Sequence, residues 1–329
     1  MKRILSALLA TSFLISEEKP YDANLFKQDK AAFSFHGSIL FWRVQEGAVD
    51  YALKMRNPSR ADHVYAQGDF KKATFDGEPG FRIAANYYRA PNYWEMWAQY
   101  THLSASGSNS VSAGAKPDTY LNGTWPQIEN PIQRATSSIR LKYNVFDWLV
   151  DRVFIPNPHL RLRLLGGATV PWMDQSWKVR YFDERSSVIT QIRNQWDFVG
   201  GGIRFGTLLD WYMGCDLYLT GTTTLATVLG SYHNAAKQTD RSYSGLIRDA
   251  RYHDIRPAFS VQALLGLSWQ KSFCSTRMEL FGGYELNTWF NLQEVYRSTS
   301  GSAADSKETW LSTSAIALQG LNLRATVSF

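Results

Sequence analysis

The chain has 329 residues, enough for one large domain or two small ones, and no linker-like stretch divides it beyond its first residues. Its net charge of +6 is too mild to point to nucleic acid, and no RNA- or DNA-binding motif supports that partner. Two cysteines, Cys215 and Cys274, exclude a disulfide scaffold and a four-cysteine zinc site.

Met1-Lys2-Arg3 is a positively charged start, and Ile4 to Ile15 is an apolar run too short to span a bilayer. Residues 1–16 read as a signal peptide and residues 17–32 as a polar periplasmic lead-in. No later segment approaches ~20 consecutive apolar residues, so no helical span is expected. From residue 33 onward the apolar residues recur with period 2, the signature of strands. In the first strand, Phe33 to Val44, Phe33, Phe35, Ile39 and Phe41 oppose Ser34, His36 and Ser38. Gln45 to about Ala66 contains Asn57-Pro58-Ser59 and reads as a long outer loop. A second strand runs from about Phe70 to Arg89, with a bulge expected at Pro79-Gly80. Ala90-Pro91-Asn92 is a tight turn into a third strand, Tyr93 to Leu103. Ser104 to Gln133, rich in Ser, Gly, Asn and Pro, reads as the longest loop.

The fourth strand is Ala135 to Leu149, with Ile139, Leu141, Tyr143 and Val145 read as outward and Arg140, Lys142 and Asn144 as inward. Asp151 to Pro158 reads as a turn. The fifth strand starts at Leu160 and continues past Pro171 to Phe182 as an extension beyond the membrane. The sixth covers about Ile192 to Leu208, and a turn at Leu209-Asp210 leads to the seventh, about Tyr212 to Leu229. Ser231 to Tyr252 reads as a polar loop. The eighth strand alternates most cleanly: Ile255, Pro257, Phe259, Val261, Ala263, Leu265, Leu267 and Trp269 are all apolar. Thr276 to Leu292 is the ninth strand, Arg297 to Glu308 the last outer loop, and Thr309 to Phe329 the closing strand.

In that closing strand Ala315, Ala317, Leu321, Leu323, Ala325, Val327 and Phe329 share one side, interrupted by Gln319. Asn322, Arg324, Thr326 and Ser328 share the other. An apolar face toward lipid and a polar face toward a lumen is the pattern of a transmembrane β-barrel. Such a barrel escapes the usual meaning of a mean hydropathy of −0.30, because only every second residue is apolar. Short turns near residues 90, 155, 210 and 273 alternate with long polar connections, as in outer-membrane barrels. The expected fold is therefore all-β, an antiparallel up-and-down transmembrane barrel of about ten strands. Twelve is the alternative, if the second or fifth strand is a hairpin. Ten strands leave a narrow, partly plugged interior. The implied location is the outer membrane of a Gram-negative bacterium, with the lipid bilayer as partner. The terminal Phe329 looks like a sorting signal for outer-membrane assembly machinery, and a homo-oligomer is open.

Alternation assigns to the lumen Arg82, Arg140, Lys142, Arg161, Arg163, Arg204, Arg256, Arg277 and Arg324, with Glu95, Asp216, Glu279 and Glu285. Two readings stand side by side. An excess of arginine and lysine would favour anions; a ladder of internal ion pairs would fill the barrel and carry nothing. Aromatics are 14% of the chain, dense enough to suggest interfacial girdles, for which Trp42, Trp94, Trp148, Trp196, Trp211, Trp269, Trp289, Trp310 and Phe329 are candidates. The expected function is a passive, porin-like pore for small hydrophilic solutes or ions, with an anion preference open; the alternative is a non-conducting structural or adhesin barrel whose surface loops meet a host or partner. A barrel enzyme would need Asp, His or Ser at the outer rim, where His63, His102, His233, His253 and Asp254 are placed. No fixed motif joins them, and no catalytic function is expected. No phosphate loop, dinucleotide fingerprint or metal-ligand cluster is visible, so no cofactor or metal is expected.

Several short motifs occur in a fixed order: Leu40-Phe41-Trp42-Arg43, Glu46-Gly47 and Tyr51-Ala52; Pro79-Gly80-Phe81-Arg82; Leu141-Lys142-Tyr143-Asn144-Val145; Trp172-Met173-Asp174-Gln175; Asp197-Phe198-Val199-Gly200; Gly266-Leu267-Ser268-Trp269; Trp289-Phe290-Asn291; and Leu318-Gln319-Gly320-Leu321. In that order the chain resembles the Legionella-type major outer membrane proteins, a pore-forming family also seen in environmental chlamydiae, over about residues 33–329. The resemblance implies an outer-membrane β-barrel with porin-like activity. The relation to chlamydial surface proteins also suggests intermolecular cross-linking through Cys215 or Cys274, against a reading of both as plain thiols.

Overall fold

The computed structural model describes residues 32–56, 68–89, 94–114, 119–125, 132–157, 159–241, 245–273, 276–298 and 309–329. The expected leader 1–16 and nearly all of the lead-in 17–32 lie outside them. Thirteen strands are described: β1 (Ala32–Glu46), β2 (Asp50–Arg56), β3 (Gly68–Lys72), β4 (Glu78–Arg89), β5 (Trp94–Ser112), β6 (Thr119–Gly123), β7 (Arg134–Asn157), β8 (Leu160–Phe182), β9 (Val188–Gly214), β10 (Leu217–Asp240), β11 (Gly245–Phe273), β12 (Thr276–Ser298) and β13 (Thr309–Ser328). Ten of them close an antiparallel barrel in the order β1-β13-β12-β11-β10-β9-β8-β7-β5-β4. The last residue seals it. Phe329 N donates to Phe33 O at 2.8 Å, and Phe33 N donates to Phe329 O at 3.2 Å. β2, β3 and β6 form a separate three-stranded sheet.

Strand length sets the shape. A tilted strand crosses a bilayer in about 9–11 residues, yet β9 has 27 residues and β11 has 29. The wall therefore continues well beyond the hydrocarbon on the side of the long connections. Of the polar stretches expected to be loops, the start of Ser104–Gln133, as far as Ser112, and most of Ser231–Tyr252 belong to this extension. Ladder pairing runs through Val111↔Ala135 and Asp240↔Gly245. β2 and β6 also lie within predicted loops. The bulge expected at Pro79-Gly80 is absent: β4 begins at Glu78 and pairs with β1 in unbroken register. The turn expected at Leu209-Asp210 lies further on. Cys215 and Asp216 adopt positive φ there, at 53° and 60°.

One parity runs along β7 to β11 while their chemistry exchanges sides. In β9 the outward residues change from Arg193, Gln195 and Asp197 to Val199, Ile203, Phe205 and Trp211. The inward residues change at the same level from Ile192, Trp196 and Phe198 to Arg204 and Asp210. β10 exchanges near Leu229 and β11 near Ile255. Below that level the barrel is apolar outside and polar inside, as lipid demands. Above it the wall is polar outside and apolar inside, as in a water-soluble protein. The lipid-facing segments thus end near Phe41 in β1 and Trp172 in β8.

Candidate functional site

The interior is the candidate site, and its lower half is an ion-pair lattice. Arg82 donates two hydrogen bonds to Glu285, at 2.8 and 3.1 Å, and Glu285 also accepts from Asn322 and Gln262. Arg161 pairs with Asp210, and Arg163 with Glu95 at 2.8 Å and Asp151 at 3.7 Å. Arg204 meets Asp147 at 2.9 Å, Arg324 meets Glu279 at 2.7 Å, and Arg256 is clamped by Asp254 and Glu294 at 2.7 Å each. Arg277 donates to Gln270. Buried charges persist only when paired in this way. Asp147, Asp151, Asp210, Asp254 and Glu294 do not figure among the lumen acids read from the sequence, and with them the apparent excess of base disappears. Asp210 is legible by counting in twos from Arg204. Arg297, held by Asp50 at 3.0 Å, is likewise an interior base absent from that set.

Three lumen assignments are corrected. Arg140 and Lys142 are outward and exposed, because β7 is already above the lipid there and turns Leu141 and Tyr143 into the core. Asp216 sits in the β9–β10 turn, where its carbonyl accepts from Gln270 N at 2.9 Å.

The aromatics divide in the same way. Trp94, Trp148, Trp211 and Phe329 are exposed on the outer wall near the short-turn end, and Trp269 is half-buried on that wall. Trp42, Trp196 and Trp289 are corrected: all three are interior, none more than 3% exposed. Trp289 donates to Tyr143 Oη at 3.3 Å, and Trp42 meets the edge of the same ring with centroids 6.1 Å apart. The side chain of Trp310 lies outside the described residues, as do His63 and Cys274.

The upper interior is filled. After Trp289, Asn291 adopts φ 64° and the pairing of β12 with β13 shifts register. β11 pairs with β12 only from Phe259↔Phe290 downward. The end of β12, freed from β11 but still paired with β13, folds inward past β11 to β10 and β9, where Glu294 O accepts from Asn234 at 3.0 Å and from Asn194 at 3.4 Å. Gln293 and Gln175 both donate to Glu46 Oε2, at 3.0 and 2.6 Å. Burial pushes the Glu46 carboxyl up to about 8, above the lipid-facing part of β1. The small sheet joins the same core: Tyr181 Oη donates to Tyr51 O at 2.5 Å, and Trp125 Nε1 to Tyr296 O at 3.4 Å. Near the short-turn end a cavity of about 70 Å³ is lined by His36, Glu95, Arg161, Arg163 and Arg324, room for a few waters. Glycines make this packing possible. The Phe198 ring lies where a Cβ on Gly230 would fall, 2.5 Å from it.

On the outer wall, Asp197, His233 and His253 stand in one cross-strand row with Ser231 beside them. Asp197 meets His233 at 3.0 Å, Ser231 meets His253 at 3.0 Å, and the imidazole centroids are 4.3 Å apart. Among the described residues no group of three or more His, Cys, Asp or Glu is placed to hold a metal.

A closed barrel with an apolar belt, a polar interior below it and short turns at one end defines an integral outer-membrane β-barrel. The chain belongs to the family described as Legionella pneumophila major outer membrane protein precursor, whose model matches residues 27–329. Its place is accordingly the outer membrane. No curated protein matches the chain. Solved structures similar to it include the outer membrane protease OmpT from Escherichia coli, with 13% identity, 94% of this chain and 99% of that one covered, and a TM-score of 0.44. Others are the P. putida toluene transporter TodX (11%, 91% and 90%, 0.27) and a Pseudomonas aeruginosa FadL homologue (7%, 92% and 90%, 0.26). At these values the likenesses carry no argument about activity.

Proposed function

We propose that this chain is a barrel shut to solutes as folded, serving as a structural outer-membrane protein that presents its outer half at the cell surface. The observation that carries this reading is the end of β12 folded into the lumen against Asn194 and Asn234. The balanced ion pairs beneath it favour packing over conduction. The rival reading is a porin-like path for small hydrophilic solutes, favoured by the polar lower interior and its cavity. Such a path requires the apolar upper core to part. Its anion preference would be weak, since each interior arginine named above faces an acid or an amide. Single-channel recording of the refolded chain in a planar bilayer tests the proposal. A flat baseline is expected, and stable conductance steps would overturn it.

We read the chain as having no catalytic role. In a Ser-His-Asp triad the acid orients the histidine that activates the serine. Here Asp197 holds His233 while Ser231 touches His253, so the relay is broken, and the row faces sideways on the wall. Hydrolysis of peptide or lipid substrates by the refolded protein would reverse this reading. Phe329, 64% exposed at the seam, is the proposed contact for assembly machinery.

A further inference from the structure

The outer wall of β7, β8 and β9 carries an unneutralised patch of positive charge just above the lipid-facing belt. Lys178 lies directly across from Arg193, and Arg140 is across from Ser176. Like charges facing each other across a sheet destabilise it. Among the described residues no carboxylate lies within ion-pair distance of Arg140, Lys178, Arg180 or Arg193, while Lys142 reaches Asp174 only at 3.9 Å. Lost hydration, then the charges of Arg180 and Arg193, hold the Lys178 ammonium below the usual lysine range. Arg140, Lys178 and Arg193 share one groove of about 570 Å³ with Ser106, Ser138 and Gln195; Asp76 is the acid on its rim.

An aromatic row lies lower on the same wall. Tyr100 stacks on Trp172 at 5.7 Å and on His102 at 6.4 Å, and Asn144 accepts from Tyr100 Oη at 2.9 Å. Rings and amides of this kind sit at the edge of the hydrocarbon. Arg140 is four residues above Asn144 and Lys178 six above Trp172, so with strand tilt the cations stand roughly 10–15 Å above that edge.

We propose that this groove binds the phosphorylated sugar headgroup of an outer-leaflet glycolipid, its acyl chains lying against the apolar wall beneath. The height selects the ligand. A phosphodiester headgroup ends near the hydrocarbon edge, below the groove, whereas a phosphorylated disaccharide reaches the cations. The site is on the wall, so it holds whether or not the interior conducts.

Native mass spectrometry of the refolded full chain in a neutral detergent tests this. The probes are a bisphosphorylated acylated disaccharide, its dephosphorylated form and phosphatidylglycerol. The bisphosphorylated lipid is expected to be retained about tenfold or more over the other two. Retention is expected to fall by about tenfold or more in Arg140→Gln/Lys178→Gln/Arg193→Gln. It should be unchanged in Arg43→Gln/Lys271→Gln, which removes two outward charges on β1 and at the short-turn end of β11. Heat-modifiable gel migration checks folding, and Lys178→Gln with a salt titration of the wild-type complex replaces the triple variant if that fails to fold. Equal retention by the triple variant overturns the site. Equal retention of phosphatidylglycerol overturns the glycolipid assignment, and so does full displacement of the lipid by millimolar inorganic phosphate.

Discussion

The lower and upper halves of the barrel are built from the same strands and obey opposite rules. Below the exchange level Ile203 is 62% exposed and Arg204 beside it is buried. Above it Trp196 is buried and Asp197 is exposed. The backbone does not change; the solvent does. A strand cannot reverse its alternation without a bulge, so the sequence must exchange chemistry between odd and even positions at the height where lipid ends. A barrel of this kind is a membrane protein and a water-soluble β-protein joined end to end.

The sharpest break of the lower half is Glu285→Ala. It strands Arg82 in the interior and removes the acceptor shared by Asn322 and Gln262. A loss of about 3–5 kcal/mol is expected in urea unfolding from lipid vesicles, with Arg82→Met/Glu285→Leu costing much less. The matching break of the upper half is Trp289→Ala, expected to cost about 3 kcal/mol by the same measurement because the void lies in a packed core. Arginine scanning along one face of β9 locates the exchange itself. Ile203→Arg is expected to cost about 2–4 kcal/mol, whereas Gln195→Arg, on the same side but above the lipid, should stay within about 0.5 kcal/mol. Equal costs would erase the distinction between the halves.

A smaller effect concerns Glu46, whose carboxyl rises from 4.5 in the unfolded chain to about 8 in the fold. The folded state therefore binds the proton more tightly. The contribution to stability is complete at acid pH and declines as pH rises toward and through the folded value. Glu46→Gln should flatten that decline in unfolding midpoints measured across the range. The gentlest test is optical: lipids quenching at known depths should dim Trp148 and Trp211 in single-tryptophan variants and spare Trp196 and Trp289.

The barrel itself is readable because period 2 holds through the lipid-facing part of the long strands. The closing strand is the clearest case: its odd residues from Leu311 to Phe329 all face outward or sideways, and Asn322, Arg324 and Ser328 face in. The reach of the strands was not readable from polarity, since a polar outward face above the membrane looks like a loop. The same ambiguity inverted Arg140 and Lys142. Trp148 lies on their side of β7, so placing it in the girdle and them in the lumen was inconsistent, and parity alone could have decided. Trp42 carries the same lesson against Phe41. The inward fold of β12 has a weaker signal, one asparagine after Trp289-Phe290, and nothing local shows that Glu294 reaches Asn234.

β1 and β4 are bonded neighbours through Trp42↔Glu78, although residues 47–77 intervene in sequence. That excursion, whose described strands β2 and β3 lie off the wall in the separate sheet, returns to the wall at the strand next to β1. It is topologically an insert, so replacing it with a tight hairpin turn would keep the cylinder's seams intact. Two strands of the small sheet are thus separable from the cylinder by engineering, and the outer mouth can be re-equipped there without touching what the bilayer holds.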